Sequence, residues 1–110
     1  MTMPQDHDIF VLRLPMERLD AAAAPEFKAR LSEEISEDMR LIIVDFSEVA
    51  FVDSTGLGAI VSLLKMMPRD GKLAVAGLNS STLRLFQLTR LDRVFEIFDD
   101  VEEARVALSK

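Results

Sequence analysis

The sequence contains no cysteine, tryptophan or tyrosine, and its one histidine is His7. The lack of cysteine excludes disulfide bonds, thiolate metal sites and a cysteine nucleophile. His7 lies in a polar stretch at the N-terminus, so a serine nucleophile elsewhere would have no histidine base beside it. No cluster of histidines or carboxylates has the spacing of metal ligands. We therefore expect no catalytic activity, no bound metal and no cofactor.

Glycine is also scarce, with four residues in the chain. Gly56-Leu57-Gly58 begins like a dinucleotide-binding fingerprint, but Val61 occupies the position of the third glycine. No lysine follows a glycine-rich loop as it does in a phosphate-binding P-loop. Around Ser54, Val52 stands where a nucleophile elbow has its first glycine. These patterns exclude the common nucleotide-binding and hydrolase motifs.

Basic residues number 13 and acidic residues 19, which gives a formal net charge of −6. Such a charge repels nucleic-acid phosphates and anionic lipid headgroups. No apolar run approaches the ~20 residues of a membrane-spanning helix, and the polar N-terminus does not resemble a secretory signal. We expect a cytoplasmic protein without a membrane span that does not bind nucleic acid directly.

Apolar runs of strand length alternate with stretches in which apolar residues recur at helical spacing. The predicted strands cover residues 9–14, 41–46, 72–78 and 93–98. The predicted helices run from Asp20 to about 35, from about 55 to 67, from Ser80 or Ser81 to about 88, and from about 99 to 108. Residues 16–20 and 47–53 are expected to be connections.

This pattern predicts a single small α/β domain, with a parallel or mixed sheet of four or five strands and about four helices. The domain is expected to cover residues 9–110. Residues 1–8 are expected to be a loose N-terminal segment or a short edge strand.

The residues Asp53-Ser54-Thr55-Gly56 join a buried strand to the start of an amphipathic helix. A helix N-terminus offers unpaired backbone N–H groups and a partial positive charge. In one interpretation, Asp53 or Ser54 caps the helix and the glycines permit close packing. In the other, Ser54 is a phosphorylation site at the C-terminal end of a central strand, where a phosphate would change the charge of a docking surface. Asp20 is open to a similar pair of interpretations, as the cap of the first helix or as a neighbour of Ser54.

The stretch from Val44 to Gly58 resembles the signature of the bacterial anti-sigma factor antagonists, the STAS domain family, above all in its Asp-Ser-Thr-Gly-Leu-Gly core. Leu19-Asp20 and the leucine-rich segment from Ser80 to Leu91 are similar to the family as well. The resemblance covers nearly the whole chain, from about Ile9 to Leu108. Where the family often has a glycine shortly before the Leu-Asp pair, this chain has Met16-Glu17-Arg18.

The resemblance implies a small mixed sheet with helices and a function in partner switching. In such a system the unphosphorylated antagonist binds an anti-sigma factor serine kinase and so frees the sigma factor. The kinase then phosphorylates the serine after the motif aspartate, here Ser54, and the antagonist dissociates until a PPM-type, metal-dependent phosphatase restores it. The kinase-docking surface around Ser54 would include Asp20, Asp53, Thr55 and Gly56.

A second function remains open for a chain of this kind. STAS domains also serve as non-switching scaffolds, or as subunits of transport or lipid-trafficking complexes. In that case Ser54 would be part of a helix start rather than a switch.

Overall fold

The computed structural model describes residues 9–35, 39–67 and 71–109. Along these residues six strands and four α-helices occur, with a short 3-10 helix at Leu91–Arg93. The strands are β1 (Ile9–Arg13), β2 (Arg18–Leu19), β3 (Leu41–Asp45), β4 (Phe51–Val52), β5 (Lys72–Ala76) and β6 (Glu96–Phe98). The helices are α1 (Ala24–Glu34), α2 (Ser54–Met66), α3 (Ser80–Leu88) and α4 (Val101–Leu108).

Four of the strands form one sheet in the order β1-β3-β5-β6, and each of its pairings is parallel. In β3, the consecutive residues Ile42, Ile43 and Val44 are fully buried. A continuous apolar run of this kind is typical of a strand that is covered on both faces. The predicted α/β class is confirmed. The sequence leaves a parallel or a mixed sheet open, and the four described strands of this sheet are parallel.

Side chains of successive strand residues point to opposite faces of the sheet, so each face has its own apolar cluster. The larger cluster lies between the sheet and helices α1, α2 and α3, and its fully buried members include Leu12, Phe27, Ile42, Val44, Ile60, Val75 and Phe86. On the opposite face, Ala104 of α4 belongs to a smaller cluster with Ile43, Ala74 and Ala76. The helix that contains Ser54 therefore lies on the more extensively covered face.

A second sheet of two strands lies in segments where the sequence predicts connections, and there the prediction is wrong. Strands β2 and β4 pair in parallel. The carbonyl of Glu17 accepts a hydrogen bond from the N–H of Ala50 at 2.7 Å, which extends the pairing by one step. Each strand has two residues, too few for an alternating pattern to be recognised in the sequence. This small sheet attaches the segment before α1 to the start of α2.

The start of α3 also differs from the prediction. Asn79 is the N-cap, because its side-chain oxygen accepts the N–H of Thr82 at 2.8 Å. The predicted caps, Ser80 and Ser81, are instead the first two helical residues. Asparagine and serine are comparable as caps, so local sequence alone does not decide between adjacent candidates.

The last predicted strand is shorter than the sequence indicates. After α3 the chain turns at Arg90, which has a φ of 63° in the left-handed region. The 3-10 helix follows, and β6 begins only at Glu96. Phe95 is buried just before the strand and lies 5.7 Å from Phe86 between ring centroids. This aromatic contact accounts for the apolar residue immediately before the strand.

Residues 1–8, for which the sequence predicts a loose segment or a short edge strand, lie outside the described residues. The boundaries of the predicted domain therefore stay a prediction. None of the helices in residues 9–35, 39–67 and 71–109 is long and apolar enough to cross a membrane.

Candidate functional site

Asp53 is the N-cap of α2. Its Oδ1 accepts a hydrogen bond from the backbone N–H of Gly56 at 2.9 Å, and its backbone is extended, as expected of a cap residue. This bond satisfies one of the N–H groups that the first helical turn leaves unpaired. Of the two caps that the sequence allows, Asp53 is the one present.

Ser54 occupies the first helical position of α2. Its side chain is exposed, as is that of the next residue, Thr55. Because Asp53 makes the capping bond, the Ser54 hydroxyl does not perform that structural task. The hydroxyl is thus presented to solvent at the positively polarised end of a 13-residue helix.

Gly56 permits the first turn of α2 to pack directly on the backbone of β2. A Cβ atom at this position would overlap the carbonyl oxygen of Leu19 and would lie 2.8 Å from its carbonyl carbon. Such distances essentially never occur at real Cβ atoms. The glycine is therefore required by this close approach, as the interpretation of close helix–strand packing predicts.

Asp20 lies beside this helix start. Leu19 pairs with Val52 in parallel register, and the carbonyl of Leu19 accepts the N–H of Asp53 at 3.2 Å. Asp20 and Asp53 each follow the last residue of their strand, and both are half-buried. Because the strands are parallel, both carboxylates lie at the same end of the small sheet, next to Ser54. The structure thus brings together the five predicted site residues.

The Asp20 carboxylate closes the turn that precedes α1. Its Oδ1 accepts the N–H of Ala23 at 3.1 Å, and its backbone carbonyl accepts the N–H of Ala24 at 2.8 Å. The N-cap of α1 is Ala23, which makes no side-chain capping bond. The prediction that Asp20 caps this helix is therefore wrong, and its side chain caps the turn just before the helix instead. The Ala23 N–H has the largest effect and lowers the pKa of the Asp20 carboxyl below its usual value; burial opposes this shift, and the Arg18 guanidinium adds to it.

Two residues at this site do not follow from the sequence analysis. The guanidinium of Arg18 lies over the ring of Phe51, with Cζ 4.3 Å from the ring centroid. The Nε of Arg18 lies 3.3 Å from Oδ2 of Asp20. Phe51 is 40% exposed, which is unusual for a large aromatic side chain. The signal that could have revealed Arg18 is its spacing of two from Asp20, since residues i and i+2 of a strand share a face.

The cap residue of helix α3 also contacts the residue that precedes β4. The Nδ2 of Asn79 donates a hydrogen bond to the carbonyl of Ala50 at 3.0 Å, while its side-chain oxygen caps α3. One side chain thus fixes the start of α3 relative to β4.

The arrangement presents a serine hydroxyl at the same end of the small sheet as two carboxylates, and the part of the chain that the structure describes contains no histidine. Within the described residues, no group of three or more histidines, cysteines, aspartates and glutamates could hold a metal ion. A phosphate on Ser54 would add roughly −1.5 to −2 charges beside Asp20 and Asp53. Such a modification would change the surface strongly while leaving the cap intact.

Comparison with known proteins agrees with this geometry. The sequence profile of the STAS domain matches residues 1–104. The chain belongs to the STAS domain family. The anti-sigma-B factor antagonist of Listeria monocytogenes is 36% identical over 94 residues, which are 84% of this chain and 79% of that protein.

Solved STAS structures have the same fold. An anti-sigma factor antagonist from Mycobacterium paratuberculosis superposes with a TM-score of 0.84 at 20% identity, covering 94% of this chain and 87% of that one. The phosphorylated form of the Bacillus cell fate determinant SpoIIAA gives a TM-score of 0.67 at 23% identity, covering 94% of this chain and 92% of that one. At these identities the likeness concerns the fold alone.

Proposed function

We propose that this STAS protein is a cytoplasmic anti-sigma factor antagonist that acts by partner switching. In its unphosphorylated form it binds an anti-sigma factor serine kinase and thereby releases the sigma factor. The kinase phosphorylates Ser54, the antagonist dissociates, and a PPM-type phosphatase restores the binding form. The protein itself supplies no catalytic group to this cycle.

The observation that carries the proposal is the division of tasks between Asp53 and Ser54. Asp53 caps α2, whereas Ser54 is exposed at the first helical position. A phosphate on Ser54 would therefore leave the capping bond in place. This is what a reversible switch requires, because its two states must both remain folded.

Release of the partner follows from electrostatics in this proposal. The helix dipole of α2 partly stabilises a phosphate on Ser54, whereas the nearby carboxylates of Asp20 and Asp53 oppose it. A kinase surface that accommodates the neutral hydroxyl would face a dianion after phosphorylation. Like-charge repulsion and the desolvation of that dianion would then weaken the complex.

The experiment is a pull-down from host lysate with three baits: the wild type, Ser54→Glu and Ser32→Glu. The last variant places the same charge on the exposed outer side of α1. We expect the wild type and Ser32→Glu to retain a serine kinase and to release it when ATP is added. Phosphate should then map to Ser54, and Ser54→Glu should capture no kinase.

The alternative function, a non-switching scaffold or a subunit of a transport or lipid-trafficking complex, predicts a different result of this pull-down. All three baits would retain the same proteins, with or without ATP, and no phosphate would be found on Ser54. Partner switching would then be wrong for this chain, although its membership of the STAS family would stand.

A further inference from the structure

Arg18 lies on the solvent-facing side of the small β2–β4 sheet. In both strands the residue pattern is exposed, buried, half-buried, so Arg18 and Asp20 share a face with Phe51 and Asp53. The Arg18 side chain is 61% exposed. The Arg18 guanidinium thus lies exposed on the face of the small sheet whose far end is next to Ser54.

The present contacts of Arg18 engage only part of its guanidinium. The ion pair with Asp20 runs through Nε at 3.3 Å, and Cζ lies 4.3 Å above the Phe51 ring. Exposed ion pairs and exposed cation–π contacts are both weak. An arginine has five N–H donors, and the Nη groups are those best placed for a bidentate contact with an oxyanion.

No other basic residue of β2, β4 or the first turns of α2 could bind a phosphate on Ser54 in place of Arg18. The sequence has no lysine or arginine between Arg40 and Lys65, so β4 and most of α2 supply no cation. Arg13, at the end of β1, is paired with Glu48. Arg18 is therefore the one basic residue in strands β2 and β4. Asp20 and Asp53, which follow these strands, make the end of the small sheet acidic.

We propose that Arg18 is the phosphate-binding residue of the phosphorylated form, exchanging its contact with Asp20 for the phosphate on Ser54. The inference rests on the proposed function, in which Ser54 is the phosphorylated residue. A phosphate offers more charge than a carboxylate and three acceptor oxygens, to which a guanidinium can bind in bidentate fashion.

The exchange has a consequence for the docking surface. When the guanidinium moves to the phosphate, the ring of Phe51 loses its cover and the carboxylate of Asp20 loses its counter-charge. Phosphorylation would then alter three groups of the surface rather than one. A partner that recognises the Arg18–Phe51 contact would lose it at the same moment as it meets the phosphate.

The test installs phosphoserine at position 54 during translation, so that no kinase is needed. The second pKa of the phosphate is then measured by 31P NMR at low ionic strength in otherwise wild-type protein, Arg18→Gln and Arg105→Gln. Arg105 lies on α4, on the opposite face of the main sheet. A nearby guanidinium favours the dianion, so we expect the pKa to be higher by about 0.5 unit or more in Arg18→Gln. Arg105→Gln should match the wild type.

An equal pKa in Arg18→Gln and Arg105→Gln would overturn the inference. Arg18→Lys provides a second variant, which keeps the charge without the planar fork and should give an intermediate pKa. If that variant and Arg18→Gln both matched the wild type, the phosphate would not contact residue 18. Because the phosphate is installed without a kinase, this failure is distinct from a failure to find a kinase that modifies Ser54.

Discussion

The carbonyl group of Leu19 occupies the space in which a side chain on Gly56 would begin. A Cβ there would lie 2.8 Å from the carbonyl carbon and closer still to the oxygen. The same carbonyl accepts the N–H of Asp53 at 3.2 Å. One peptide group of β2 therefore fixes both the cap and the first turn of α2, and so determines where Ser54 is presented.

The first prediction concerns the two glycines of α2. Gly56→Ala should destabilise the protein by about 2 kcal/mol or more, because the new methyl group must displace backbone rather than a flexible side chain. Gly58 is the matched control, since a Cβ at that position has no neighbour within 4 Å. Gly58→Ala should stabilise the protein by about 0.5–1 kcal/mol through helix propensity.

Urea denaturation of the two alanine variants measures both values. Equal effects of the two substitutions would contradict the close packing of α2 on β2. Chemical-shift changes in Gly56→Ala should also centre on Leu19 and Asp20, whereas those in Gly58→Ala should remain within α2.

The second prediction separates the cap from the hydroxyl. Asp53→Ala should lower the free energy of unfolding by about 1 kcal/mol, whereas Asp53→Asn, which preserves a capping oxygen, should change it little. Ser54→Ala should stay within about 0.5 kcal/mol of the wild type, because the exposed hydroxyl is not the cap. Thermal and urea unfolding provide the measurement. A loss in Ser54→Ala as large as that in Asp53→Ala would assign a structural task to the serine.

The third prediction concerns acid stability. The N–H of Ala23 and the guanidinium of Arg18 lower the folded-state pKa of the Asp20 carboxyl below its ordinary value of 3.8. A lowered folded-state pKa means that the stabilisation is complete at neutral pH and is lost as the pH falls through the folded-state value. In Asp20→Asn, the free energy of unfolding should therefore fall less steeply with decreasing pH below 3.8.

Titration of the Asp20 carboxyl by NMR checks the cause directly. We expect a pKa below 3.8 in the wild type and a partial return towards that value in Arg18→Gln. The return is partial because the N–H of Ala23 has the larger effect. A pKa at or above 3.8 in the wild type would contradict the described contacts.

Much of this fold is predictable from the sequence because its determinants are local. The apolar run of β3 and the helical spacing after Gly56 each identify their element without reference to distant residues. Asp53 is likewise a good cap candidate from its position alone. Strands β2 and β4 have two residues each and become strands only through each other. Their pairing joins two segments that α1 and β3 separate in the sequence, so no local pattern predicts it.

In the candidate site, too, some features follow from local sequence and others depend on tertiary structure. Ser54 and its neighbours are contiguous in the sequence, and their place at a helix start follows from the motif. The contacts of Arg18 with Phe51 and Asp20 depend instead on the register of β2 against β4. Asn79 is similar, because its bond to the carbonyl of Ala50 joins elements that only tertiary structure makes adjacent.

The most direct test of partner switching compares two forms of this protein as ligands of the purified kinase that the wild type captures. One form is unmodified, and the other contains phosphoserine at position 54, installed during translation. We predict that calorimetry will show affinity weaker by about tenfold or more for the phosphorylated form, because a buried dianion must be desolvated against like charge. Equal affinities of the two forms would contradict partner switching through Ser54.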